Sequence, residues 1–273
     1  MAIDNFIPQI WSAGVTKAFQ MAQVIIPTVN RDYEGDASKG NTVNITGAIT
    51  PTITDYADNG RTIDAEDISD GTVQLLINQE KAFAFKVDDV DKTQAAGSFD
   101  TWTAAAGGAL AEEAEATVLA AMIAEAGANL NTGQGAVVVD TADEALAALR
   151  AIRTKLTKNK VPAAGRFVAV NPAFADLVIA KLSDVAVAGD SGELRNGVIG
   201  RIYGMTIIET PMFAEATKPV AVGYHTIAVA FVAQIAETEA LRDPSAFKDI
   251  IRGLNVYGVK VVRPEAVVKY LSA

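Results

Sequence analysis

The residues of this chain whose types and spacing can do chemistry are mostly acids, and the densest run is Asp88-Asp89-Val90-Asp91. Clustered carboxylates supply the oxygen ligands that calcium and magnesium take. The run lacks the glycine and the distal glutamate of an EF-hand loop, so it reads as a charged turn between a strand and a helix. A second acidic group, Asp55, Asp58, Asp64, Glu66, Asp67 and Asp70, spreads over a polar stretch with one cation, Arg61. Its irregular spacing fits a solvated surface, or a patch that docks on a neighbour's basic residues, better than a cation cage. The single histidine, His225, sits in an apolar strand beside Tyr224 and has no companion for base catalysis. Arg150, Arg153, Lys155, Lys158 and Lys160 form a basic cluster. It can be read as a phosphate patch; the simpler reading is the solvated face and C-terminal end of a helix. Gly189, Gly192, Gly197 and Gly200 have neither the G-x-G-x-x-G spacing nor the lysine of a P-loop, and read as a loop. Glu112 and Glu113 lie on a helix surface with no companion acid. No constellation needs an enzyme, a cofactor or a metal to explain it.

Bulk composition narrows the classes. The chain has 273 residues, half of them hydrophobic, which is enough for a sizeable core in one to three domains. There are no cysteines, so disulfides, thiolate metal sites and thiol nucleophiles are excluded. The net charge of −10 argues against sequence-specific DNA binding, which needs a basic footprint. It is compatible with enclosing DNA, since an acidic wall keeps a duplex from sticking. No apolar run is long enough to span a bilayer, and the start lacks the basic and apolar regions of a signal peptide.

The elements that must position these residues are set by periodicity. Residues 1–40 read as an arm, with Phe6, Ile10 and Trp11 early and a short helix at about 10–23. The charged, turn-rich stretch around Tyr33 connects the arm to a pair of strands. Residues 41–87 alternate as a long hairpin: Val43 and Ile45 outward bound, then Val73, Leu75, Ile77, Phe83, Phe85 and Val87 on the return. The polar stretch between them, which includes Tyr56, reads as a projecting loop. Such a ribbon is marginal by itself, so the front third is expected to rely on neighbouring copies for cover. Residues 98–126 read as one helix with Leu110, Ala114, Val118 and Ala121 or Met122 on one stripe and Glu112, Glu113 and Glu115 facing away. A strand is expected at 136–139. Thr141 and Glu144 form a capping box that opens the next helix, with Leu146, Leu149, Ile152 and Leu156 on its apolar face. A strand at 166–170 and a helix from about Ala173 to Leu182 come next. Strands are then expected at 201–210, 219–235, 237–242, 254–262 and 266–271, with a turn or short helix from Asp243 to Ile250.

The order of these parts resembles the major capsid (coat) proteins of tailed bacteriophages. Three stretches carry the resemblance. One is Asn5-Phe6-Ile7-Pro8-Gln9-Ile10-Trp11-Ser12. Another runs from Asn30-Arg31-Asp32-Tyr33-Glu34-Gly35 to Phe83-Ala84-Phe85-Lys86-Val87-Asp88-Asp89-Val90-Asp91-Lys92-Thr93-Gln94. The last is Gly253-Leu254-Asn255-Val256-Tyr257-Gly258 with Val261-Val262-Arg263-Pro264. The resemblance implies an α+β phage capsid fold. Its parts would be an N-terminal arm (1–40), an extended β-hairpin loop (41–90), a peripheral domain with a long spine helix and a β-sheet (91–140 and 236–273), and an axial α/β domain (141–235).

It also implies the function: a subunit that self-assembles as pentamers and hexamers into an icosahedral shell around double-stranded DNA, in the host cytoplasm and then the virion. Implied partners are a scaffolding protein, a portal protein and, as a possibility, a decoration protein; no membrane is involved. Because the chain starts with methionine at the arm, a separate scaffolding protein is expected. Some members cross-link subunits through a lysine and an asparagine; Lys81 and Lys86 lie on the returning strand and do not match that pattern. Candidate contact residues between copies are Phe6, Ile10, Trp11, Tyr33, Asp55, Tyr56, Asp58, Arg61, Asp64, Glu66, Asp67, Asp70, Arg150, Arg153, Lys155, Gly189 and Gly192. The alternatives are an encapsulin-like compartment enclosing cargo protein and, in another class, a soluble α/β enzyme with a lid at 55–71.

Overall fold

The computed structural model describes residues 23–34, 40–47, 53, 55, 57–58, 61–62, 71–88, 100–131, 139–184, 198–215 and 217–271. The hairpin forms where the alternation places it. Strand β1 (Thr42–Gly47) pairs antiparallel with the start of β2 (Gly71–Asp88), from Thr42 opposite Leu76 to Gly47 opposite Gly71. Val43, Ile45, Leu75 and Ile77 turn to one face and bury together with Ala230, Val232 and Val256.

The hairpin is not a free ribbon, which corrects the expectation for its root. Beyond Ile77, β2 pairs with β9 (Lys248–Val261), and β9 pairs along its length with β8 (Val229–Arg242). The result is a four-stranded antiparallel sheet in the order β1-β2-β9-β8. The covering strand comes from the far end of the chain, and pairing at that separation leaves no local mark in the sequence. Phe83 lies directly opposite Gly253 in this sheet. A Cβ at Gly253 would stand 2.2 Å from the Phe83 ring, so only a glycine lets that ring lie across the neighbouring strand. Phe85 stacks on Phe83 with ring centroids 6.0 Å apart.

The second sheet contains β3 (Ala128–Asn129), β4 (Arg166–Val170), β5 (Val198–Ile202), β6 (Met205–Glu209), β7 (Val220–His225) and β10 (Val267–Leu271). Its order is β3-β10-β7-β4-β6-β5. The pairs β3/β10 and β4/β6 are parallel and the rest antiparallel. Two long strands of the sequence reading are each broken in two. Tyr203 (φ 52°) and Gly204 (φ 79°) turn the first into the β5–β6 hairpin, since two positive-φ residues suit the twist of a tight hairpin. A 3-10 turn, Thr226–Ala228, divides the second, and β8 leaves for the other sheet. Between β8 and β9 the chain makes a turn, and β9 already begins at Lys248. Most of the expected arm helix, and residues 136–138 of the expected strand at 136–139, lie outside the described residues. Gln23 itself is not helical, and Val139 is buried without strand pairing.

Three helices among the described residues cover the sheets: α1 (Asp100–Glu125), α2 (Ala142–Lys158) and α3 (Pro172–Asp184). The Thr141–Glu144 capping box is present at the start of α2. Asn171 ties α3 to β7: its Oδ1 accepts from the amides of Phe174 and Val220, both at 3.0 Å. Leu149, Ile152 and Leu156 of α2 join a main core that also holds Phe231, Tyr257 and Val261 from the four-stranded sheet. Contact between α2 and β7 is close enough to need a glycine. A Cβ on Gly223 would come within 2.2 Å of Ile152 Cγ2.

Gly223→Ala should therefore lower subunit stability by about 1–3 kcal/mol in urea denaturation, the usual cost of overpacking. In an Ile152→Ala background the clashing methyl is gone and the same substitution should be nearly neutral. An undiminished cost there would show that this contact does not set the helix–sheet distance.

Candidate assembly surfaces

The chemistry-bearing residues of the sequence do not converge on one site. Asp55, Asp58 and Arg61 are exposed, and the Asp55 carboxylate accepts the Ala57 amide at 2.9 Å. Tyr33 is half-buried against the apolar cluster under the hairpin root. Arg150, Arg153 and Lys155 are exposed along α2. Phe6, Ile10, Trp11, Tyr56, Asp64, Glu66, Asp67, Asp70, Gly189 and Gly192 lie outside the described residues. Asp88 pairs with Lys248 at 3.4 Å, while Asp89 and Asp91 are not described. Among the described residues no group of three His, Asp or Glu side chains is placed to hold a metal.

His225 is buried, and both ring nitrogens are occupied. Nε2 bonds the Ala164 carbonyl at 2.7 Å and Nδ1 accepts the Ile227 amide at 3.2 Å, which puts the proton on Nε2. Its role is to hold the end of β7. Lys81 is tied to Glu113 of α1 at 2.6 Å, and that carboxylate raises the lysine's pKa. Lys86 reaches Asp243 at 3.0 Å. The Ser245 hydroxyl and amide, with Lys86, hold the Asp243 carboxyl well below the usual carboxylate range. Both lysines of the returning strand are thus engaged within their own chain.

Three exposed features remain. A shallow groove of about 450 Å³ crosses one face of the four-stranded sheet, lined by Ala82, Ala84, Leu254, Glu237, Glu239 and Arg252 among others. Phe247, in the β8–β9 turn, is 81% exposed and Ile53 92%. The third is the basic face of α2.

The feature that sequence reasoning missed lies where the arm enters the body. Glu115 does not face away from the core. It shares the buried stripe of Ala111, Ala114, Val118, Leu119 and Met122 and is 3% exposed. Its carboxylate accepts the amides of Val24 and Ile25, the latter at 2.6 Å. Ile25 and Ile26 are fully buried beside it. Thr28 Oγ1 meets the buried Tyr224 hydroxyl at 2.5 Å. Asn30 then bonds β8 on both sides, donating to the Val229 carbonyl and accepting from the Phe231 amide, each at 2.9 Å. Residues 24–30 are therefore a strap fastened to α1, β7 and β8. Burial raises the Glu115 pKa and nearby Glu112 adds to the rise, while the amides of Val24, Ile25 and Ile26 oppose it.

Comparison with known proteins decides what kind of molecule carries these surfaces. The sequence model of the family described as phage capsid protein matches residues 72–270, well over half of the chain. The chain belongs to the phage capsid protein family. A solved structure from Mycobacterium phage Che8 is 42% identical, with a TM-score of 0.78, covering 91% of this chain and 90% of that one. The capsid structure of the cyanophage P-SCSP1u superimposes with a TM-score of 0.68 at 16% identity, over 86% of this chain and 84% of that one. A virus-like particle from Pyrococcus furiosus has a TM-score of 0.66 at 13% identity, over 97% and 100% of the two chains, and shares the fold alone. No curated protein matches the chain. This is a major capsid protein, a structural component of the virion shell, and copies of it self-assemble into that shell. Its mixed α/β architecture is the phage capsid fold.

In the capsid protein, Glu115 had a signal that could have been read. An acid at that position interrupts an apolar stripe at helical spacing, and a charge there must either leave the core or find donors. Here the donors are the free amides at the start of the 3-10 turn at Ile26–Thr28. Glu115→Ala should cost about 1–3 kcal/mol by leaving those buried amides unpaired. The pH dependence has a definite sign. A carboxyl whose pKa is higher folded than unfolded binds its proton more tightly in the folded state. Its contribution is therefore greatest at acid pH and is lost as pH rises from the unfolded value toward the raised folded one. The stability difference between Glu115→Gln and wild type should accordingly move in favour of the variant as pH rises above about 4.5, the ordinary glutamate value. Urea denaturation of both proteins across pH 4–8 reads this, and parallel curves would exclude it.

Proposed function

We propose that the chain is the repeating subunit of an icosahedral shell, gathered as pentamers and hexamers around double-stranded DNA without sequence-specific contact. The supporting observation is a family match over residues 72–270 in a chain whose core closes internally while apolar and charged groups remain outside it. Phe247 and Ile53 are almost fully exposed, and the stretch between β1 and β2 is strongly acidic. Such groups acquire a purpose when another copy covers them. In this reading residues 1–40 are the arm and 41–90 the extended loop, with its root fixed by β9. Residues 91–140 and 236–273 are the peripheral domain, α1 being its spine helix, and 141–235 the axial domain. Strand β10 then joins the two domains, since it lies between β3 and β7. Scaffolding, portal and decoration proteins are the expected partners, with assembly in the host cytoplasm. The protein works by contact and carries no catalysis.

The encapsulin-like alternative has weaker support. The family match over residues 72–270 and the 42% identity to the Che8 structure both favour a phage capsid subunit.

Replacing residues Asp58–Asp70 by a short turn should leave a folded, soluble subunit, because the β2–β9 pairing and the described core residues lie elsewhere in the chain. Its assembly threshold should rise about tenfold or more, by mass action on weakened contacts between copies. Sedimentation and electron microscopy of purified material read the result. Normal shells at the wild-type concentration would remove the loop from assembly.

A further inference from the structure

The basic face of α2 is not explained by the fold. Arg150, Arg153, Lys155, Lys158 and Lys160 place five cations and no acid within eleven residues of a chain whose net charge is −10. All five are exposed, and among the described residues none pairs with a carboxylate. The helix dipole favours cations only in the last turn, which accounts for Lys155 and Lys158. It does not account for Arg150 and Arg153, which form a like-charge i,i+3 pair at a local cost. Near Arg153 lies Arg166, 6% exposed. Its guanidinium donates to the carbonyls of Pro162 at 2.7 Å and Val161 at 2.5 Å and to Thr157 Oγ1 at 3.0 Å, all neutral acceptors. Burial and the nearby Arg153 lower its pKa. A buried, hydrogen-bonded cation with no counter-ion among the described residues, close to the exposed Arg153, describes a surface that an anionic partner would stabilise.

We propose that this face of α2 docks the acidic segment 55–70 of a second copy of the chain. The segment carries six acids, Asp55, Asp58, Asp64, Glu66, Asp67 and Asp70, against Arg61, a net of −5. That matches the +5 of the five cations between Arg150 and Lys160. Asp55 and Asp58 are exposed. A duplex is the other polyanion on offer, and the net charge of −10 repels it and a second copy alike at long range, so local concentration decides between them. The acidic segment is presented by every copy at the concentration of the binding face itself. This inference rests on the shell-subunit reading and names the acceptor for its loop.

The test uses shells assembled from a mixture of copies grown on light and heavy nitrogen, so a failure to form shells tests the functional reading separately. A carbodiimide joins carboxylates to lysines in direct contact. Expected are mixed-isotope cross-links from Lys155, Lys158 or Lys160 to acids of segment 55–70. Arg150→Glu with Arg153→Glu should raise the assembly threshold about tenfold, and adding Asp64→Lys, Glu66→Lys and Asp67→Lys should restore it. Neutralising those three acids to Asn and Gln should flatten the salt dependence of assembly. If the charge-reversed helix misfolds by circular dichroism, Arg150→Gln with Arg153→Gln takes its place. Absent cross-links, or cross-links of one isotope only, overturn the proposal. So does a helix variant that assembles normally but loses nuclease-protected DNA, which would make nucleic acid the ligand.

Discussion

The pairing of β2 with β9 is the constraint on which the rest of the subunit depends. It joins the front of the chain to its end over eleven register pairs, from Ile77 opposite Gly258 to Asp88 opposite Lys248. Without it, β1 and β2 would be a two-stranded ribbon of the kind that rarely survives in water. With it, the hairpin root becomes part of a sheet whose other strands reach the main core through Phe231, Tyr257 and Val261. The connection from β1 to β2 is then carried on a firmly paired base. The pairing also sets positions for groups far from it in sequence. Lys81 comes within reach of α1, and Lys86 within reach of the β8–β9 turn.

The ion pairs that decorate this sheet do little of the holding. Lys81–Glu113, Arg252–Glu239 and Arg242–Asp249 are all substantially exposed, and such pairs are worth about 0–1 kcal/mol each. Lys260–Glu125 differs in kind, because Glu125 also accepts the Val261 amide at 3.1 Å and so pins the end of α1 to β9. Apolar burial contributes more than any of these pairs. Ile25 and Ile26 are fully buried, and burying an aliphatic side chain of that size is worth about 1.5–3 kcal/mol. The strap of residues 24–30 is therefore held mainly by those side chains. Glu115 gives them direction by fixing where the two backbone amides must sit.

Local features were legible in the sequence and long-range ones were not. The Thr141–Glu144 cap, the helix after Asn171-Pro172, the alternation of β1 and the start of β2, and the length of α1 are all set by spacing within a dozen residues. What failed needed knowledge of a distant partner. The β2–β9 pairing and the Glu115 contact with Val24 and Ile25 each join residues far apart in the chain, the latter about 90 positions from one another. The break at Thr226–Ala228 was hidden because β7 and β8 are both apolar, so the run reads as one strand until the sheets separate them. Tyr203-Gly204 was the more readable miss, since a glycine after an exposed residue between two apolar runs is a hairpin signal. The family resemblance supplied the shell function, which no single site residue announces.

A subunit that closes its own core leaves the shell to be decided by surface groups. Each copy carries a net charge of −10, so copies repel one another at long range. At physiological salt that repulsion is screened over about 8 Å, and what remains at contact depends on local sign. Uneven charge along the chain then matters more than its total. A protein that gathers acids between residues 55 and 70 and cations between 150 and 160 can be repelled at a distance and attracted at contact. That combination suits ordered assembly: copies stay apart in dilute solution, and only approaches in the right register bring opposite patches together.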